Sequence, residues 1–176
     1  MKRFILIIAG LFLISNVYGG DALVHQGDKI VGGRLALGSV YGASAGVILS
    51  GEYGFKDQLF NLGDLNNTLG FGASLAYSGY SEFGYDYSNY LLLFSGIWHT
   101  DIFKNPKLDT YASLSLGYNF ASVTIPSGKA NRTNSFAGLV VGTALGMRYQ
   151  LSSQLYGVGE IGFGMGVLRL GIDYRL

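Results

Sequence analysis

Two histidines, His25 and His99, are the side chains of this sequence best suited to moving a proton near neutral pH. Nucleophilic catalysis needs such a base within hydrogen-bond reach of a serine or cysteine. The chain has no cysteine. Ser95 lies four residues from His99, which is ~13 Å along a strand rising ~3.3 Å per residue, so the two do not form a base–nucleophile pair. Metal binding is short of ligands for the same reason. Residues 157–162 read Gly-Val-Gly-Glu-Ile-Gly and match a dinucleotide-binding spacing. That motif works only between a strand and a helix, and here glycines recur with a strand period and no helix follows. Gly138, Gly142 and Gly146 match a helix-dimer spacing, which on a strand marks only one face. Asn66-Asn67-Thr68 and Asn131-Arg132-Thr133 match glycosylation sequons. No catalytic residue, cofactor or metal is expected. What remains is charge: Arg34, Arg148, Glu160, Arg169 and Asp173 stand singly in apolar, glycine-rich stretches. Groups of this kind pair when water is removed from them.

The elements that carry these charges alternate. In the final stretch, Leu170, Ile172, Tyr174 and Leu176 point one way, and Arg169, Gly171, Asp173 and Arg175 the other. One greasy face and one polar face fit a wall between lipid and a polar interior. Seven more segments with period two precede it, at about 29–37, 43–54, 68–78, 88–99, 110–121, 135–149 and 155–163, before the last at about 166–176. Their apolar sets include Leu69, Phe71, Leu75 and Tyr77 in the third and Leu114, Leu116, Tyr118 and Phe120 in the fifth. In the fourth, Leu91–Phe94 is continuously apolar, and Tyr90, Leu92, Phe94 and Trp98 are assigned outward. The opposite faces are rich in Gly, Ala and Ser, as the narrow interior of eight strands requires. The fold class expected is therefore all-β, an eight-stranded antiparallel up-and-down transmembrane barrel.

Composition and the N-terminus agree. Hydrophobic residues make up 49% of the chain, with 28 glycines and only 2 prolines. A soluble domain exposing so much apolar alternation would aggregate, whereas a membrane barrel has a solvent for that face. Lys2 and Arg3 precede an apolar run of eleven residues from Phe4 to Ile14, and Val17 and Gly19 are small residues at the −3 and −1 places of a cleavage site. This is the layout of a secretory signal peptide, too short for a spanning helix of ~20 residues. The domain reading is a signal peptide at 1–19 and a barrel at 20–176. Of 12 basic residues, Lys2 and Arg3 leave with the signal, so ten face 11 acidic ones. Near-neutral charge without a basic patch argues against nucleic acid as a partner.

Loop lengths orient the barrel. With the C-terminus periplasmic, 150–154 is a periplasmic turn and 79–87 and 122–134 are extracellular loops. Residues 55–67 break the rule of short periplasmic turns: either the strand runs longer or the turn is structured. Tyr53, Tyr77, Tyr90, Trp98, Tyr118, Tyr149 and Tyr174 lie near segment ends, like interfacial aromatic girdles. His99 falls at the periplasmic end of its segment and reads as an interfacial polar residue. A two-residue type II′ loop at Gly164-Met165 sets Phe163 opposite Gly166, Leu155 opposite Tyr174 and, on the inward face, Glu160 opposite Arg169. Opposite charges across a ladder attract. A Glu160–Arg169 ion pair is expected, with Arg148, Asp173 and Arg34 as network members.

Two resemblances follow from quoted residues. Arg169, Gly171, Tyr174 and Leu176 fill a pattern that resembles the C-terminal assembly signal of bacterial outer-membrane barrels, with Leu where Phe is common. The stretches Glu52-Tyr53-Gly54, Leu108-Asp109-Thr110-Tyr111-Ala112, Gly117-Tyr118-Asn119, Gly146-Met147-Arg148-Tyr149 and Glu160-Ile161-Gly162-Phe163-Gly164 resemble the small outer-membrane barrels of Bacteroidota and related Gram-negative bacteria. At fold level those are similar to the OmpA-transmembrane, OmpX and OmpW groups. The resemblance implies outer-membrane lipids and the outer-membrane assembly machinery as partners, and no catalytic residues. The function expected is structural or surface-interacting, with the lumen filled by side chains. The alternatives are a narrow path for a small solute and, third, a lipid-modifying enzyme.

Overall fold

The computed structural model describes residues 21–125 and 132–176. The signal-peptide reading at 1–19 and residues 126–131 lie outside the described residues; the flanks of the loop expected at 122–134 are strand, with Ser122–Ile125 paired to Arg132–Ser135. Eight strands follow in order: β1 (Lys29–Val40), β2 (Ala43–Asp57), β3 (Asn67–Glu82), β4 (Tyr85–Thr100), β5 (Leu108–Ile125), β6 (Arg132–Gln150), β7 (Leu155–Phe163) and β8 (Leu168–Arg175). Each pairs antiparallel with its neighbour, and β1 pairs with β8 to close the ring. Closure removes the unpaired backbone edges that hydrocarbon would not tolerate.

Period two then sorts the side chains. Leu49, Leu75, Phe94, Leu114, Leu139 and Leu145 stand exposed on the outside, while Arg148, Asp173, His99 and Asp109 are buried within. The polarity is the reverse of a soluble protein's: the apolar side chains form an outer belt and the polar groups face one another inside. Of the aromatic residues near strand ends, Tyr77 packs on its cross-strand partner Tyr90, with ring centroids 5.0 Å apart.

Most strands reach beyond the segments read from alternation, because pairing continues after the apolar code stops. Residues 79–87 are not a loop. β3 and β4 stay paired up to Glu82 and Tyr85, and only Phe83 and Gly84 turn. Both take positive φ, 49° and 80°, as a type I′ turn demands. The β1–β2 turn repeats this with Tyr41 and Gly42. At 55–67 both expected explanations hold. β2 runs to Asp57, and the remaining turn is structured by a Leu62–Leu65 bridge. In the last hairpin Gly164 takes φ 92°, but the ladder ends at Ile161–Leu168 and Gly166 is also positive, so the two-residue loop is replaced by a wider one. The wider loop drops Met165 into the barrel, where it is buried beside Leu91, Leu93, Val140 and Ile48.

The other rim carries the first described residues and the end of β8. Residues 21–28 fold across it as a strap, with Ala22, Leu23 and Val24 buried. Arg175 at the end of β8 donates to the carbonyls of Asp21, Ala22 and Leu23. Ala22 N–H reaches Pro106 and Gly27 N–H reaches Gly54. Gly54 is obligatory here, since a Cβ would stand 2.0 Å from the His25 carbonyl oxygen.

Candidate functional site

Between the apolar plug around Met165 and the strap lies the densest set of charges in the described residues. It is built by strand parity: inward places fall at even numbers on β1, β2, β6 and β7 and at odd numbers on β4, β5 and β8. Arg34, Glu52, Arg148 and Glu160 come from the first group, and His99, Asp109, Arg169 and Asp173 from the second.

Glu160 and Arg169 are cross-strand partners, and Arg169 Nη1 donates to Glu160 Oε2 at 2.9 Å. Arg34 lies 3.0 Å from Glu160 through Nε and donates to Asp173 through Nη2 at 3.0 Å. Arg148 is the hub. Its Nε donates to Asp173 at 2.6 Å, its Nη1 to Asp109 at 3.3 Å and its Nη2 to Glu52. The five charged residues singled out from sequence therefore share one contact network. The pattern residues Gly171, Tyr174 and Leu176 do not join it. Gly171 faces inward beside Arg34, where a Cβ would meet the Gly33 carbonyl at 2.0 Å. The Tyr174 hydroxyl donates to Gln154 at the rim.

Three members of the network were not read from the sequence as members: Glu52, Asp109 and His99. His99 is not an interfacial residue. It is fully buried, with Nε2 2.6 Å from Glu52 and Nδ1 2.9 Å from Asp109. The signal was parity. Trp98 points outward, so His99 must point in. Asp109 precedes the segment drawn from 110, yet shares the parity of Ser113 and Ser115. Glu52 shares the inward parity of Ile48, but its partners come from β4 and β6, which no two-strand register reveals. Tyr111 completes the set: its hydroxyl donates to Glu160 at 2.6 Å and its ring lies under the Arg148 guanidinium, 4.6 Å from the centroid.

The geometry fixes a charge state. Both nitrogens of His99 face carboxylate oxygens, and both can bond only as donors, which makes the ring an imidazolium. Three arginines and this imidazolium then oppose four carboxylates, Glu52, Asp109, Glu160 and Asp173. Buried charge is tolerated when it is paired and hydrogen-bonded in this way. A cavity of about 40 Å³ lined by Ser50, Ser74, Ser95, Ser113, Arg34 and Arg169 sits beside the cluster. It has room for ordered water, and Met165 and Ile48 also line it. Ser95 bonds Ser115 at 2.7 Å, away from either histidine, and His25 lies in the strap near Asp21 and Asp57.

Comparison with protein-family models and with curated proteins finds no match. Comparison with solved structures finds eight-stranded barrels of outer membranes. A major outer membrane protein from Thermus thermophilus aligns at a TM-score of 0.56 and 17% identity, covering 86% of this chain and 100% of that one. Ail of Yersinia pestis, solved in complex with the heparin analogue sucrose octasulfate, aligns at 0.53 and 14%, covering 85% and 97%. The N-terminal β-barrel domain of Pseudomonas aeruginosa OprF aligns at 0.51 and 13%, covering 87% and 100%. At these identities the likeness is one of fold: the chain has the architecture of the eight-stranded outer-membrane β-barrels.

Proposed function

We propose that this protein is an integral outer-membrane barrel with a closed lumen and a surface-interaction role. On this reading residues 1–19 are a cleaved signal peptide, 20–176 form the barrel domain, and the outer-membrane assembly machinery inserts it using the pattern at Arg169, Gly171, Tyr174 and Leu176. The strap rim is periplasmic and the Phe83–Gly84 rim extracellular. The lumen favours closure over conduction, because the neutral ion cluster, the Met165 plug and the strap stack along its axis.

One observation carries the surface role. β6 pairs with β5 as far as Arg132, but with β7 only from Thr143 onward. On the far side, β3 pairs with β4 to Glu82, but with β2 only as far as Tyr77. Strands β3–β6 therefore rise past their neighbours as a four-stranded sheet with unpaired edges. Such an edge is a template for an added strand. Phe83 at the tip is 92% exposed and Phe136 60%, so the sheet offers apolar contacts as well. The test is aggregation of cells displaying the barrel. Replacing Ser135 and Ala137 by Pro removes edge donors, so aggregation should fall at equal surface amount. Undiminished aggregation would contradict the role.

A further inference from the structure

The free edge of β6 matches itself. A Cβ at Gly162 would meet the Thr143 carbonyl at 2.0 Å, and one at Gly164 the Val141 carbonyl at 2.9 Å. Odd-numbered backbone groups of β6 therefore face the β7 side, since the N–H and C=O of one strand residue point the same way. The β5–β6 register runs without a shift from Leu108–Tyr149 to Ile125–Arg132, so this parity holds up to the rim. Above Val141 the groups of Thr133, Ser135, Ala137 and Leu139 meet no strand. β7 pairs only from Thr143, and among the described residues no backbone bond outside the ladders takes them. Natural edges are guarded by charge, proline or a bulge. From Thr133 to Met147 this one has none of the three. The free stretch of β3, from Ser78 to Glu82, is shorter and ends on a charge.

We propose that the strand added to this edge is the same edge of a second copy, carried on a facing cell surface. The inference deepens the surface-interaction reading and rests on it. Antiparallel self-pairing about a two-fold axis at Phe136 matches every free group. It sets 133 against 139 and 135 against 137, in both directions, and each pair exchanges two hydrogen bonds. A shift of two residues either way leaves edge groups unmatched. No like charges meet in this register, since its pairs are Thr with Leu, Ser with Ala and Asn with Gly. At the centre Phe136 meets its own copy. Phe136 has the inward parity of Val140 and Ala144 yet is 60% exposed, because β6 stands clear of β7 at that height. Self-pairing covers it with a second aromatic ring. Direction selects the setting. Copies side by side in one membrane all run β6 the same way and present parallel strands. Copies on two facing surfaces present antiparallel ones, the sense that this register needs.

The native chain has no cysteine, so single cysteines read the register in the full barrel, purified in mild detergent and oxidised. Phe136→Cys places two thiols across a non-hydrogen-bonded pair with Cα atoms ~4.5 Å apart, within the span of a disulfide. Asn134→Cys faces position 138 of the copy, and its own equivalent lies ~13 Å away at ~3.3 Å per residue. Phe136→Cys should give about tenfold more cross-linked dimer than Asn134→Cys, because pairing holds its thiols at an effective concentration above that of the free protein. Asn134→Cys mixed with Gly138→Cys keeps Phe136 and should also cross-link; a Cβ at Gly138 meets nothing within 4 Å. Adding Ser135→Pro and Ala137→Pro should abolish both dimers, and heat-modifiable gel mobility reports whether each variant is folded. Equal cross-linking of Phe136→Cys and Asn134→Cys, or none at 136 and none between 134 and 138 in folded barrels, would overturn the proposal. Cells in two colours separate it from the broader role. Aggregates should mix the colours only when both populations display the barrel. Displaying cells that gather non-displaying ones equally well would keep the surface role and overturn self-recognition. No aggregation in any mixture would contradict both.

Discussion

Arg148 holds the luminal charges in one arrangement, since among the described residues it is the one cation that touches all three of Glu52, Asp109 and Asp173. Arg148→Met removes one cationic partner from each of three buried carboxylates, leaving His99 to Glu52 and Asp109 and Arg34 to Asp173, and breaking a buried pair from one side costs ~3–5 kcal/mol. Urea unfolding in lipid vesicles should show a loss of that order. The Glu160–Arg169 pair allows a cleaner comparison. Glu160→Gln should destabilise more than Glu160→Gln with Arg169→Met, because the double variant leaves no lone charge on that pair. A single variant as stable as the parent would remove the pair from the account. At the rim, burial pushes the Asp101 carboxyl up, but the Asn66 side-chain and backbone N–H groups and the Lys104 ammonium outweigh it and hold it below the usual Asp value. A depressed folded value means the carboxylate's contribution is complete above the unfolded value and is lost as pH falls through the folded one. Hydrogen exchange at the Asn66 amide should therefore accelerate in acid, beyond the intrinsic trend, and Asp101→Asn should abolish that pH dependence.

The strands show what alternation carries and what it omits. All eight were legible, and so was the 160–169 register, because an apolar outer face and a packed lumen force a strict period of two. Their outer ends were not legible. Past the apolar belt both faces are largely exposed, alternation loses its cause, and Gly79–Tyr87 looks like loop while the ladder continues. The turn at Phe83–Gly84 was hidden because Phe is a poor left-handed residue. Phe83→Asn should suit φ > 0 better and raise stability by ~1 kcal/mol, the low end of such strain. The strap was also illegible, since residues 21–28 have no period and are held by backbone bonds. Gly54→Val places a side chain where the His25 carbonyl sits. Hydrogen exchange should then rise across residues 22–28 while heat-modifiable mobility persists. Unchanged exchange would mean that the strap does not depend on that cradle.

At the scale of the whole molecule, the barrel proposed above is a wall with lipid outside and no continuous water inside. The shared cluster was only partly legible because its eight charges come from seven strands, and closure, not sequence distance, brings Glu52 beside Arg148. The native chain contains no cysteine, so single cysteines placed along β6 report without background. In barrels reconstituted in vesicles, cysteines at the outward positions Leu139, Val141 and Leu145 should be quenched by lipid-borne probes and spared by a water-soluble thiol reagent. Cysteines at the inward positions Val140 and Ala144 should resist both. Reaction of the water-soluble reagent at 140 and 144 would mean an open lumen. Its reaction at 141 and 145 would mean that no membrane covers this face.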